Sequence, residues 1–197
     1  MHEEKQNLDH LFSAQLDNRV SLAKTGARER KKKLKLLLAT FLEMEGEAEA
    51  ALYSDMKKSA TEAGITEVMG IKTEASFAIK NLKKWMKTRR VSSTPAVSFT
   101  RGWIRPEPKG TVLIISPWNY PILLVLNPLI AAVAAGNTAI IKPSEFTPAS
   151  GAFVKKLIEK VFPKNEVAVV LGDHEPAIEL LKKPFNHIVF TGSPSIG

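Results

Sequence analysis

Asn119, Lys142 and Glu145 are the side chains whose type and spacing best suit chemistry in this sequence. Asn119 follows the apolar run Thr111–Ile115, and Lys142 and Glu145 follow Thr138–Ile141. Both runs have the length and β-branched content of buried strands. Groups just past such strand ends face the ligand crevice of a parallel α/β sheet. The Asn119 side-chain amide is a neutral N–H donor; on spacing alone it reads as a turn Asn bonding its own loop. Lys142 offers donors and Glu145 acceptors, which suits the two hydroxyls of a ribose; the alternative is a surface ion pair worth little. A further candidate is Gly192-Ser193-Pro194-Ser195-Ile196-Gly197, directly after the run His187–Phe190 and Thr191. Glycine lets the backbone approach phosphates, and free N–H groups at a helix start attract anions. Its GxxxxG spacing is not GxGxxG, so the bare pattern is weak.

These residues need a scaffold, and the intervening sequence predicts one. Ser116-Pro117 breaks the first strand. Pro121 suits the first turn of a helix that runs to Ala135 and stops at Gly136-Asn137. Strand, loop, helix, strand is a βαβ unit. Thr147-Pro148 then opens a second helix, Thr as cap and Pro at its first position, with Phe153, Val154, Leu157, Ile158 and Val161 as its buried stripe. Val167–Leu171 reads as a third strand, stopped by Gly172-Asp173. Pro176–Lys183 reads as a short helix, His187–Phe190 as a fourth strand, and another helix should start near Pro194. Such alternation predicts a doubly wound α/β unit.

Residues 1–90 read as helices. Leu8, Leu11, Phe12, Leu16 and Val20 repeat at helical spacing, as do Leu34, Leu37, Leu38, Phe41 and Leu42 within Ala27–Thr61. Gly64 is expected to end a helix, and Ile65–Lys87 to form another. The leucines of RERKKKLKLLL are expected to pack on the sheet, its lysines to meet water. Val97–Arg105 reads as extended, and Pro106, Pro108 and Gly110 place a boundary near residue 108. The expected division is 1–90 helical, 91–109 an extended arm, and 110–197 the nucleotide-binding portion.

Of the 197 residues, 44% are apolar and 24% charged, ordinary for a globular protein. The absence of Cys excludes disulfides, thiolate metal sites and a Cys nucleophile within these residues. The four His show no metal-ligand spacing, so no metal is expected. Residues 1–110 hold 21 Lys and Arg against 14 Asp and Glu, and residues 111–197 hold 7 against 6. The net +8 therefore belongs to the N-terminal part. Acidic residues interleave there and no recognition motif accompanies them, so it reads as a solvated helix face rather than a nucleic-acid site. The longest nearly uninterrupted apolar run, Ile122–Ala135, is 14 residues long and contains Asn127-Pro128; a membrane span needs about 20. MHEEKQNLDHLF lacks the apolar core of a secretory leader, and a cytoplasmic location is expected.

PWNYP, AAGNTAIIKPSE and HIVFTGSPSIG, in that order, resemble the N-terminal portion of the aldehyde dehydrogenase superfamily, most closely its class 3 and coniferyl-aldehyde-dehydrogenase-like branch. The resemblance is strong from about Arg105 to Gly197 and earlier rests on helical pattern. It implies N-terminal helices followed by an incomplete doubly wound, Rossmann-like parallel sheet. It implies an enzyme oxidising an aldehyde to a carboxylate with NAD, NADP being possible, and a homodimer when complete. Asn119 then becomes the catalytic donor to the substrate oxygen, and the motif reverses the turn-Asn reading. Ser116, Pro117, Trp118, Lys142, Glu145, Gly172, Thr191, Gly192, Ser193 and Gly197 become cofactor-binding residues. Pro194 departs from the family pattern and removes one N–H from the phosphate loop. The family's general-base Glu and nucleophilic Cys have no counterpart among these residues. The sequence is therefore expected to be incomplete, covering about two-fifths of the family's length, and inactive alone. The alternative is a stand-alone nucleotide-binding or interaction module.

Overall fold

The computed structural model describes residues 2–97, 99–194 and 197. Its centre is a four-stranded parallel sheet of β3 (Thr111–Ile115), β4 (Thr138–Lys142), β5 (Val167–Val169) and β6 (His187–Phe190), in the order β5-β4-β3-β6. Alternation along the strands divides the core in two. Val112, Ile114, Ala139, Ile141 and Val167 belong to the large cluster on one face; Leu113 and Ile140 belong to a smaller cluster on the other. A sheet buried on both faces is what near-continuous apolar strands predict.

On the first face lie α6 (Leu123–Ala135) and α7 (Pro148–Val161), each following a strand. Outside them pack α2 (Ala27–Glu43), α3 (Glu45–Met56) and α5 (Met69–Trp85). Leu34, Leu37 and Phe41 of α2 are buried, yet that helix packs chiefly on α5, α6 and α7, so the expected docking of its leucines on the sheet is corrected to docking on other helices. On the second face lie α1 (His2–Ala23), through Leu8 and Phe12, and α8 (His174–Leu181), through Leu180. Val20, expected in the α1 stripe, is exposed; Gln15 is buried instead and donates to the Ala139 and Lys164 carbonyls.

Several boundaries differ from expectation for identifiable reasons. Gly64 does not end a helix. It opens a π-helical turn, Gly64–Val68, that joins α4 (Ala60–Ala63) to α5 without a break, the Met69 N–H bonding back to the Gly64 carbonyl. The long helix expected over Ala27–Thr61 is broken at Met44 and again at Lys57, which adopts the left-handed conformation at φ 58°. α6 begins two residues after Pro121, where a carboxylate from elsewhere meets its first N–H groups. α8 begins at His174 because Asp173 caps it, accepting from the Glu175 N–H. Thr147 precedes α7 as expected, but its hydroxyl makes no cap. Asp55 of α3 does so instead, accepting from the N–H groups of Ala149 and Ser150 and from the Ser150 hydroxyl at 2.7–3.1 Å.

The segment expected to be extended forms a two-stranded antiparallel hairpin of β1 (Arg89–Val91) and β2 (Gly102–Ile104), with a 3-10 turn at Pro95–Val97. Among the described residues no helix is long and apolar enough to cross a membrane. The helix expected near Pro194 runs through Ser195 and Ile196, which lie outside the described residues.

Candidate functional site

The register of the sheet builds the site. Ile115 pairs with Lys142 on one side and with Phe190 on the other, so β3, β4 and β6 end level. The ladder continues one residue further, the Ser116 N–H donating to the Lys142 carbonyl and the Thr191 N–H to the Ile115 carbonyl. Three loops therefore leave the carboxyl edge side by side, starting at Ser116, Pro143 and Thr191. Strand order reverses between β3 and β6. Open α/β sheets bind ligands in the crevice at such a reversal. The Ser116–Asn119 and Thr191–Ser193 loops flank it, and Lys142 and Glu145 stand one strand away.

Trp118, Asn119 and Tyr120 are exposed on the first loop and Pro117 is half-buried. Among the described residues the Asn119 side-chain amide has no hydrogen-bond partner, unlike a turn Asn spent on its own loop. Ser116 differs: it is buried, and its hydroxyl donates to the Leu124 carbonyl at 3.0 Å. Pro128 lies inside α6 and has no N–H to give that carbonyl, four residues before it. Ser116 thus replaces the missing helical bond and pins the loop to the helix.

Beneath the same loop lie two residues the sequence reading passed over. Glu67, in the π-helical turn and 1% exposed, accepts from the Ile122 and Leu123 N–H groups through Oε2, both at 3.0 Å. Its Oε1 accepts from Lys58 Nζ at 2.7 Å. Lys58 is also buried, donates to the Asn119 backbone carbonyl at 3.4 Å and lies 4.5 Å from the Tyr120 ring centroid. A carboxylate at the first turn of α6 meets the positive end of the helix dipole. The signal that could have found Glu67 is its register: it is a charge at the helical spacing of the buried Ala63, Ile71 and Ala75.

Lys142 is buried at the end of β4 and its Nζ turns back to the Pro143 carbonyl at 2.7 Å, with Glu145 Oε2 at 3.5 Å. Glu145 is exposed, so the pair presents a carboxylate to solvent with its cation behind it. Gly172 closes the loop after β5 at φ 131°, where a Cβ would come within 2.9 Å of Pro176. Thr191 is half-buried and Gly192, Ser193 and Gly197 are exposed. The Phe190 ring lies under this loop, leaving no room for a Cβ at Gly192 or Gly197. The Gly197 N–H bonds to the Ser193 carbonyl. Among the described residues no cluster of three or more His, Asp or Glu is suited to a metal.

The model of the family described as the aldehyde dehydrogenase family matches residues 2–197. The chain belongs to the aldehyde dehydrogenase family. It is 45% identical over 169 residues to the 4,4'-diaponeurosporen-aldehyde dehydrogenase of Staphylococcus aureus, a match covering 85% of this chain and 37% of that protein. Over 151 residues it is 43% identical to human aldehyde dehydrogenase family 3 member B1, covering 75% of this chain and 31% of the relative. The solved structure described as the substrate-bound state of Staphylococcus aureus AldH superposes with a TM-score of 0.93 at 39% identity, over 96% of this chain and 42% of that one. The chain thus spans well under half the length of these family members. The fold implied by the family and the sheet described above agree.

Proposed function

We propose that these residues form the cofactor-side portion of an NAD(P)-dependent aldehyde dehydrogenase, oxidising an aldehyde to a carboxylate. The observation that carries the reading is the level ending of β3, β4 and β6. It brings the Asn119 loop, the Lys142–Glu145 pair and the Thr191–Ser193 loop to one edge at the strand-order reversal.

The donor set fits a dinucleotide. Glu145 offers an exposed carboxylate to ribose hydroxyls, and Lys142 behind it holds that carboxylate in place. A carboxylate there repels a 2′-phosphate and favours NAD over NADP. Thr191, Gly192, Ser193 and Gly197 offer backbone close to a strand end, where phosphate is accommodated. When bound, the cofactor accepts the hydride. Asn119 directs its amide at the former aldehyde oxygen, stabilising the negative charge that develops there; such a donor is worth about 3–4 kcal/mol of barrier. Ser116 fixes the loop that carries it. With no Cys in the sequence, the thiol that attacks the aldehyde comes from outside these 197 residues. The exposed hairpin, with Trp103 and Ile104 on its surface, is the arm through which a homodimer forms.

The test is a chimaera in which residues 1–197 replace the matched part of the Staphylococcus aureus relative. It is assayed with hexanal and NAD at the NADH absorbance, with the unextended 197-residue chain as a control expected to form none. Asn119→Ala should lower turnover ~10²-fold with cofactor affinity nearly unchanged, as for a donor used in the transition state. Unaltered turnover, or steady NADH formation by the 197 residues alone, would overturn the assignment.

A further inference from the structure

We propose that Lys58 and Glu67 are positioning residues for Asn119, a clamp reaching from the helical layer to the back of the loop that carries the donor. The inference rests on the reading of Asn119 given above. A donor lowers a barrier only if it is already aimed when charge develops. Asn119 is exposed on a loop, and its side-chain amide is tied to nothing among the described residues, so its aim depends on the backbone beneath it. Three sets of contacts fix that backbone. At the loop's entry, Ser116 bonds to the Lys142 and Leu124 carbonyls. At its exit, Glu67 Oε2 takes the N–H groups of Ile122 and Leu123, and the Leu124 N–H holds the Tyr120 carbonyl. At its middle, Lys58 Nζ donates to the Asn119 carbonyl and stands against the Tyr120 ring. That last contact fixes the peptide plane directly after Asn119.

Lys58 can serve there only because Glu67 neutralises it, since a buried ammonium without a partner is costly. One carboxylate therefore does two jobs, Oε1 holding the lysine and Oε2 the start of α6. It reaches both from a π-helical turn, a feature that recurs at functional sites. The turn places Glu67 inward on a helix whose other buried residues are apolar. A close helix approach supports the arrangement: a Cβ at Gly70 would meet Leu123 at 2.8 Å.

The experiment is a double-mutant cycle in the same chimaera with hexanal and NAD. Lys58→Met should lower kcat tenfold or more with KM for NAD within twofold, and Lys58→Arg should recover most of the loss. In the Asn119→Ala background, Lys58→Met should cost less than twofold further. If it costs its full factor there, Lys58 acts through its field or through the fold, and the clamp is overturned. If Asn119→Ala alone leaves kcat unchanged, the reading of Asn119 fails first, a result distinct from failure of the clamp. A second measurement covers variants that lose the fold. In the 197-residue chain, Lys58→Met and Glu67→Gln are each compared with the unaltered chain by hydrogen exchange read by mass spectrometry. Faster exchange confined to peptides spanning residues 117–124, with α7 unchanged, supports the clamp; unchanged exchange, or a uniform rise, refutes it.

Discussion

Replacing Arg30 by Ala should destabilise the fold more than any surface substitution in α2. Arg30 sits on the buried stripe of that helix, four residues before Leu34, and is 4% exposed. Its guanidinium closes the carboxyl ends of two helices at once. Nη1 donates to the Ala134 and Ala135 carbonyls of α6 at 3.2 and 2.5 Å, Nη2 to the Leu22 and Ala23 carbonyls of α1 at 3.5 and 3.3 Å, and Nε to the Thr25 hydroxyl at 2.9 Å. Burial pushes its pKa down and Glu29 pushes it up, but a guanidinium stays protonated at any physiological pH. Two of the five bonds are short; at ~1.5–3 kcal/mol each for a charged donor they stabilise by ~3–6 kcal/mol before desolvation is charged against them. A net loss of ~3 kcal/mol follows for Arg30→Ala. At ~2.5 kcal/mol per molar for a chain of this size, the urea midpoint should fall by ~1 M. Gly136 sharpens the test, because at φ 85° a Cβ there would lie 2.3 Å from Arg30 Cζ. Gly136→Ala should therefore cost left-handed strain of ~1–2 kcal/mol and also expel the guanidinium. In the Arg30→Ala background only the strain remains, so the two losses should fall short of adding by ~3 kcal/mol. Additive losses, or a midpoint shift under ~0.3 M for Arg30→Ala, would refute the account.

Asp55→Ala should remove the cap of α7 and cost ~1–2 kcal/mol in urea unfolding, whereas Thr147→Val, whose hydroxyl caps nothing, should cost under ~0.5 kcal/mol; equal costs would contradict the assignment of the cap. Ser116→Ala should leave the Leu124 carbonyl unmet and lower stability by ~1–3 kcal/mol; a Ser116→Ala, Pro128→Ala double variant, with the helical N–H restored, should regain part of it, and no recovery would show that Pro128 is not the reason for the hydroxyl. In the chimaera, Glu145→Gln should raise NADP use relative to NAD; an unchanged ratio of kcat/KM would assign cofactor choice to another group.

The sheet was legible because its strands are short, β-branched and separated by Pro and Gly. All four were placed within two residues, and their parallel direction followed from the βαβ pattern. The loops that carry Asn119, Glu145 and Gly192 were legible for the same reason: each sits where a strand pattern stops. What escaped is polar and long-range. Glu67, Lys58, Asp55 and Arg30 act on backbone groups 55–105 residues away along the chain, and no local pattern encodes such a partner. The break at Gly64 was misplaced because glycine signals a helix end by propensity, while Ile71, Ala75 and Ala78 hold the helix on through it by burial. The cap at Thr147 was misread because Asp55, a full carboxylate, outcompetes a hydroxyl for the same N–H groups.

The two ends of α6 have a consequence for how the chain is made. Its start waits on Glu67 and its finish on Arg30, and the Arg30–Ala135 bond spans 105 residues. At synthesis rates of ~5–20 residues per second, Arg30 leaves the ribosome ~5–20 s before the carbonyl it must meet. During that interval the Arg30 guanidinium has only the Leu22, Ala23 and Thr25 oxygens to meet, and Glu67, already paired with Lys58, lacks the N–H groups of Ile122 and Leu123 that meet its second oxygen. The helical half therefore lacks the contacts that complete both sites until α6 arrives. Completion of both sites is timed by the emergence of the apolar helix rather than by the synthesis of the helical half.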